Sequence, residues 1–92
     1  AMGINAEATG GDAATAIGAN SYANGDWATS IGAYSDANGQ SSTALGDSSY
    51  ADGVQASALG AYSDATADFS TAVGSYSAAS GISSFAGGSN SN

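Results

Sequence analysis

The sequence contains no lysine, arginine, histidine or cysteine among its 92 residues. Without cations, its eight carboxylates give a net charge of −8, which offers no electrostatic footprint for nucleic acid or an anionic membrane surface. The missing residue types include the usual general bases, so no side chain remains to activate a serine nucleophile. Without cysteine there is neither a disulfide framework nor a thiolate metal site. We therefore expect no enzyme activity, cofactor, metal site, nucleic-acid partner or direct membrane contact.

Large apolar side chains are also scarce. Only ten residues are Leu, Ile, Val or Phe, whereas 22 are alanine. With the net charge of −8, this composition ordinarily indicates disorder. The sequence has no run of ~18 apolar residues that would span a membrane, and no basic-then-apolar signal peptide. If the chain folds, it does so around something other than an ordinary hydrophobic core.

A short motif recurs every 14 residues, and a fixed period of this kind is typical of a solenoid. Each copy ends in an aliphatic residue followed by glycine: Ala16-Ile17-Gly18, Ser30-Ile31-Gly32, Ala44-Leu45-Gly46, Ala58-Leu59-Gly60 and Ala72-Val73-Gly74. A second motif, Ser-x-Ala-x-Gly, has the same period and begins at Ser21, Ser35, Ser49 and Ser77. The periodicity predicts a folded chain in which identical side chains stack between successive coils.

The repeat predicts a single domain over residues 1–92. We expect a degraded first coil at 1–13, in which Thr9 and Gly11 occupy slots of the second motif, and regular coils at 14–88. Because Ser91 keeps the register of Ser77, we expect the chain to be a piece of a longer array.

Two glycines divide each unit into short extended runs. In the second regular unit, Gly32 and Gly39 are both suited to turns with positive φ, which predicts strands at about 28–32 and 34–38. A helix is disfavoured by the β-branched and glycine content and by the single large apolar residue per unit. Two short strands per turn, repeated in register, indicate an all-β fold, either a parallel β-roll or a β-helix.

Alternation along the strands assigns their faces. One face of each strand consists only of alanine and serine, so we expect these two faces to meet across a thin interior. An aliphatic stripe then lies outside the roll: Ile17, Ile31, Leu45, Leu59 and Val73. Threonines such as Thr29 and Thr43 share that face. Exposed patches of this kind mark association surfaces, so the stripe predicts the axis of a symmetric homo-oligomer.

The two motifs together resemble the head repeats of YadA-like trimeric autotransporter adhesins, over about residues 9–92. This resemblance implies a left-handed parallel β-roll that assembles as a side-by-side homotrimer, with Thr29 and Thr43 near the axis. It also implies a place on the Gram-negative cell surface, projected from the outer membrane by segments outside this sequence. Members of the family attach bacteria to host extracellular matrix, to host cells and to one another, and the resemblance does not extend to ligand choice.

Aromatic residues supply a candidate ligand face, because tyrosine gives rigid amphipathic contact area. We place all five tyrosines on the outward face of the second strand: Tyr22, Tyr34, Tyr50, Tyr62 and Tyr76. They are also explained as a stabilising ladder, since tyrosine favours half-exposed strands. Trp27 and Phe69 occupy the same slot after the turn. They are either adhesive anchors or residues that cap the roll or contact a neighbouring subunit.

Aspartates at the turns, Asp12, Asp26 and Asp68, are read as turn formers rather than calcium ligands, because the nine-residue repeat of calcium β-rolls is absent.

Two other functions fit the same pattern. The row Thr15, Thr29, Thr43, Ser57 and Thr71 has the ~4.8 Å spacing of stacked strands, which is compatible with an ice-binding solenoid. The row is one residue wide and shares its face with the aliphatic stripe. A structural spacer without any ligand of its own is the third possibility.

Overall fold

The computed structural model describes residues 1–91 as a parallel β-solenoid. These residues contain twelve short strands in two six-stranded parallel sheets and no helix. The first sheet consists of β2 (Thr15–Ile17), β4 (Thr29–Ile31), β6 (Thr43–Leu45), β8 (Ser57–Leu59), β10 (Thr71–Val73) and β12 (Phe85–Gly87). The second sheet consists of β1 (Glu7–Ala8), β3 (Tyr22–Ala23), β5 (Asp36–Ala37), β7 (Tyr50–Ala51), β9 (Asp64–Ala65) and β11 (Ala78–Ala79).

Each coil contributes one strand to each sheet. Thr29 pairs with Thr43, and Leu45 with Leu59, so the register advances by 14 residues per coil and the predicted period is confirmed. The strands are shorter than the sequence suggested. In the coil predicted to have strands at 28–32 and 34–38, they cover three and two residues, because the turns take up the remainder.

The interior contains only small side chains, as the alternation predicted. Apart from three glycines, every buried residue in the described part of the chain is alanine or serine, and most are fully inaccessible to solvent. One buried serine per coil begins the second motif, and its hydroxyl donates to the glycine carbonyl three residues earlier, as Ser35 Oγ does to Gly32 O at 2.8 Å. These bonds satisfy hydroxyls that burial would otherwise leave unpaired. The two sheets can therefore approach closely without large apolar groups between them.

The first coil has one residue more than the others. Glu7 pairs with Tyr22 and Ala8 with Ala23, an offset of 15 rather than 14. The expectation that Thr9 and Gly11 occupy the slots of the second motif is therefore wrong, and Ala8 and Gly10 occupy them. A constant period of 14 places the first coil one residue out of register, because the extra residue lies between Gly10 and β2.

The two glycines of each unit have different physical roles. Gly32 has φ 128°, as expected for a turn glycine. Gly39 does not have positive φ, so that prediction is wrong; its α-carbon instead lies so close to Gly53 that an added Cβ would overlap the Gly53 carbonyl oxygen. The residues that do take positive φ at the corners include Trp27 and Tyr34. Backbone stacking between coils, and not positive φ, excludes a side chain at Gly39.

Candidate binding surfaces

The aliphatic stripe runs along the outer side of the first sheet. Parallel pairing joins Ile17 to Ile31 and Ile31 to Leu45, and continues through Leu59 to Val73. Both isoleucines are 37% exposed, and the other three side chains are half-buried. The stripe is therefore a continuous apolar row that the chain by itself leaves facing solvent.

Thr29 and Thr43 lie beside this stripe on the same side of the first sheet, and both are half-buried. The row continues through Thr15 at one end and through Ser57 and Thr71 at the other. Each hydroxyl-bearing residue is thus one strand spacing, ~4.8 Å, from the next. Any surface that covers the aliphatic stripe would also cover much of this row.

The outer side of the second sheet alternates tyrosine and aspartate. Register places Tyr22, Asp36, Tyr50 and Asp64 in one row across successive coils. Partial burial raises the pKa of both aspartates above its ordinary value, and the nearby Asp52 carboxylate raises it further. Ionisation of these two aspartates is therefore less favourable on this face than in water.

Three of the five tyrosines lie elsewhere. Tyr34, Tyr62 and Tyr76 are at the corner that follows the first sheet, each with φ 62°. The prediction that all five belong to the outward face of the second strand is therefore wrong for these three, because the strand begins two residues later than expected. They are exposed by between 48% and 58%. The rings of Tyr62 and Tyr76 stack in parallel, with centroids 5.0 Å apart and 4° between their planes.

Trp27 and Phe69 occupy the opposite corner, with φ 58° and 60°. The Trp27 amide donates to Asp12 O at 2.7 Å, and the Phe69 amide to Val54 O at 2.9 Å, so stacking between coils holds this corner too. Both side chains are about half exposed. Their role as adhesive anchors, roll caps or subunit contacts stays a prediction.

A polar ladder runs along one edge of the second sheet, and the sequence analysis missed it. Thr9 donates to Asn24 Oδ1 at 2.6 Å, Asn24 donates to Asn38 Oδ1 at 2.6 Å, and Asn38 donates to Asp52 Oδ1 at 2.7 Å. All the donors point towards Asp52, whose carboxylate can only accept. The signal was present as an amide or carboxylate at one fixed slot in successive units.

Two of the three turn aspartates cap the backbone of a neighbouring coil. Asp26 Oδ1 accepts from the Gly11 amide at 2.6 Å, and Asp68 Oδ1 accepts from the Val54 amide at 2.9 Å. Within residues 1–91, no three potential ligands among His, Cys, Asp and Glu come together in an arrangement suited to a metal ion. The same residues enclose no pocket, and none of them belongs to a helix capable of crossing a membrane.

Parallel stacking of near-identical coils, with a small-residue interior and decorated outer faces, defines a β-solenoid repeat protein. The sequence matches the YadA head domain repeat over residues 10–35, 37–63 and 65–91. The chain belongs to this family, as the two motifs suggested. No curated protein in the comparison matches it.

Proposed function

We propose that this chain is the adhesive head of a trimeric autotransporter on the Gram-negative cell surface, where it attaches the bacterium to host extracellular matrix or host cells. The observation that carries the proposal is the aliphatic stripe, exposed on a coil whose interior is already filled. Family membership supports the assignment to an adhesin head. The proposal includes left-handed winding and assigns the chain no catalytic activity and no cofactor.

The stripe supports a homotrimer in which three chains lie side by side. Burying each of its five side chains would contribute roughly 1.5–3 kcal/mol. The alanine and serine interior of one chain removes little apolar surface from water, and small domains are marginal for that reason. We assign Thr29 and Thr43 to the same interface, where they make the axis more polar than an all-aliphatic one. Three chains around one axis give each stripe an apolar partner without exposing a new one.

Sedimentation velocity and light scattering test the assembly over a wide concentration range. We expect three chains per particle at high concentration, with dissociation accompanied by loss of β-structure in circular dichroism. A monomer that stays well folded on dilution would contradict the role given to the stripe.

The ligand face is proposed to be the aromatic and acidic outer surface. Three chains at −8 each would carry −24, so a protein partner should approach with a basic surface and bind less well as salt rises. The contact residues are Tyr22, Tyr34, Tyr50, Tyr62, Tyr76 and Trp27. Three identical faces on one particle would add avidity to weak single contacts.

Adhesion of head-coated beads to immobilised matrix proteins and to cells tests this face. Changing Tyr34, Tyr50 and Tyr62 together to serine should lower attachment while the thermal melt changes little, because none of these side chains is buried and their exposure ranges from 39% to 58%. Attachment that survives the triple change would assign the tyrosines to stability and move the search to Trp27 and Phe69. A head that binds no matrix protein, glycan or cell would instead be a structural spacer.

The threonine row supports a second candidate, an ice-binding solenoid, because stacking repeats its hydroxyls at one strand spacing. The proposed trimer would cover this row together with the aliphatic stripe. Thermal hysteresis measured on a monomeric form would favour ice binding over adhesion.

A further inference from the structure

The corner after the first sheet carries one equivalent residue per coil. At each position φ lies between 58° and 62°, and the backbone amide donates to a carbonyl of the preceding coil at 2.8–3.0 Å. The six residues of this corner column are Asn20, Tyr34, Ser48, Tyr62, Tyr76 and Asn90. Because the backbone is equivalent at all six, differences along the column come from the side chains alone.

Tyr62 and Tyr76 show how adjacent rings behave in this column: they stack in parallel at 5.0 Å. Tyr34 lies two coils from Tyr62, a backbone separation of ~9.6 Å for stacked strands. Ser48 occupies the coil between them, and its side chain is too short to fill the place of a ring. The column therefore has the place of one aromatic ring vacant, with Tyr34 on one side and Tyr62 on the other.

The vacant place between Tyr34 and Tyr62 is wide enough for one planar group. A planar group above Ser48 would lie ~4.8 Å from the backbone level of each tyrosine, half of the two-coil separation. That distance is close to the 5.0 Å of the existing tyrosine stack. It falls within the range in which ring stacking and cation–π attraction operate.

Charge decides which planar group fits. Asp47, next to Ser48, is exposed. Its Oδ1 accepts a hydrogen bond from the Ser48 hydroxyl, and the distance of 3.5 Å is long for such a bond. The chain has no cation of its own to neutralise this carboxylate. An arginine guanidinium is planar, always charged, stacks on aromatic faces and donates to carboxylates in a fixed fork. A lysine ammonium has the same charge without the planar shape.

We propose that the gap above Ser48, between Tyr34 and Tyr62, binds arginine side chains of a partner protein. The guanidinium lies between the two rings and donates to the Asp47 carboxylate. This proposal rests on the proposed adhesive function, because it names the chemistry of the partner at that surface. A trimer presents three such gaps, so a partner with several exposed arginines gains avidity that one arginine cannot supply.

Two capped pentapeptides, Gly-Gly-Arg-Gly-Gly and Gly-Gly-Lys-Gly-Gly, test the proposal by NMR titration at equal ionic strength. We expect the arginine δ-methylene protons to move upfield saturably, because they enter the shielding region of the rings. We also expect the arginine peptide to bind about 2- to 5-fold more tightly than the lysine peptide. Equal affinities would overturn the proposal, and so would tighter binding of a third capped peptide, Gly-Gly-Trp-Gly-Gly, than of the arginine peptide.

Two matched variants locate the binding. Ser48→Tyr should complete the column and abolish the preference for arginine, and its backbone suits tyrosine because Tyr62 has nearly the same φ. Ser41→Tyr is the control, since Ser41 has φ 58° at the opposite corner and should leave the preference intact. If Ser48→Tyr fails to fold, Tyr34→Ser removes one wall of the gap and should give the same loss. A preference that survives in a folded variant of either kind would overturn the proposal.

The arginine site and the adhesive function fail separately. A head that attaches to matrix or cells but binds the two peptides equally loses the arginine site and keeps adhesion. A head that prefers the arginine peptide but attaches to no matrix protein or cell keeps the site and contradicts the adhesive function.

Discussion

The two sheets have the same interior and different exteriors. Both turn rows of alanine and serine inward, where neither sheet carries a large side chain. Outside, the first sheet presents threonine and the aliphatic stripe, whereas the second presents alternating tyrosine and aspartate beside an amide ladder. The inner faces therefore determine how the chain coils, and the outer faces determine what the coil meets.

This division has a thermodynamic side. Small inward side chains bring the sheets together but supply little hydrophobic stabilisation, so hydrogen bonds between coils and, in the proposed trimer, burial of the stripe supply the remainder. The second sheet contributes differently, because its outer row holds carboxylates in partly buried positions. One exterior is suited to burial between chains, and the other to contact with a charged partner.

The largest expected effect comes from placing charge on the first exterior. Leu59→Asp would put three carboxylates near one apolar axis in the proposed trimer, so the protein should dissociate or unfold. Ser80→Asp adds the same charge at an exposed position after β11 and should leave the assembly intact. Sedimentation velocity measures the assembly of both variants, and circular dichroism measures their folding. If Leu59→Asp and Ser80→Asp gave particles of the same mass and the same melting temperature, the two exteriors would not differ in their role in assembly.

A smaller but still large effect is expected inside either sheet. Ala58→Leu in the first sheet and Ala51→Leu in the second should each destabilise the fold by ~1–3 kcal/mol or more, because both positions are fully buried among alanine and serine. Tyr50→Leu, on the outer face of the same strand as Ala51, is the control and should cost little. Chemical denaturation measures all three. A large difference between the two alanine variants would show that the interiors are not equivalent.

Ser42 allows the interior to be improved. Its hydroxyl is buried without a hydrogen-bond partner in the described part of the chain, while the equivalent residues of the neighbouring coils are Ala28 and Ala56. Ser42→Ala should therefore raise the free energy of unfolding by about 1 kcal/mol, by removing an unsatisfied polar group. A thermal melt checks this, with Ser35→Ala as the contrast, since Ser35 Oγ donates to Gly32 O. Destabilisation by Ser42→Ala would contradict the account.

The smallest expected effect concerns pH and the second exterior. Folding raises the pKa of Asp36 and Asp64, mainly by burial and further by Asp52, so the folded state binds protons more tightly than the unfolded state. Their contribution to stability is then greatest below the ordinary aspartate pKa and is lost as pH rises through the raised folded values. Acidification from neutral pH to the ordinary aspartate pKa should raise the contribution of these two groups to the melting temperature.

Replacing both aspartates by asparagine isolates this contribution. The double variant should melt higher than the parent at neutral pH and should respond less to acidification. Asp47→Asn is the control, because Asp47 is exposed on a corner away from this row. A double variant whose melting temperature rises more than that of the parent, on acidification to the ordinary aspartate pKa, would contradict the sign derived for Asp36 and Asp64.

The sequence predicted the coil and its inner faces because they depend on a period and on side-chain size. It predicted less well where the backbone departs from a constant period. The extra residue before β2 shifted the first coil, and short strands moved Tyr34 from a sheet face to a corner. The role of Gly39 was also hidden, because the clash that excludes a side chain there comes from Gly53 in the next coil. Such contacts between coils follow from the rise of the solenoid and cannot be read from one unit.

Register has a consequence for how such a head can change length. Because the strands of the regular coils pair with one another at an offset of 14 residues, removal of one whole unit rejoins chemically equivalent backbone at both sheets and both corners. Removal of part of a unit would break this equivalence unless a turn absorbs the change, as the turn before β2 absorbs the extra residue of the first coil. The length of the solenoid therefore changes in steps of ~4.8 Å, one coil at a time. Recombination between units can lengthen or shorten it while every remaining residue keeps its position in the coil.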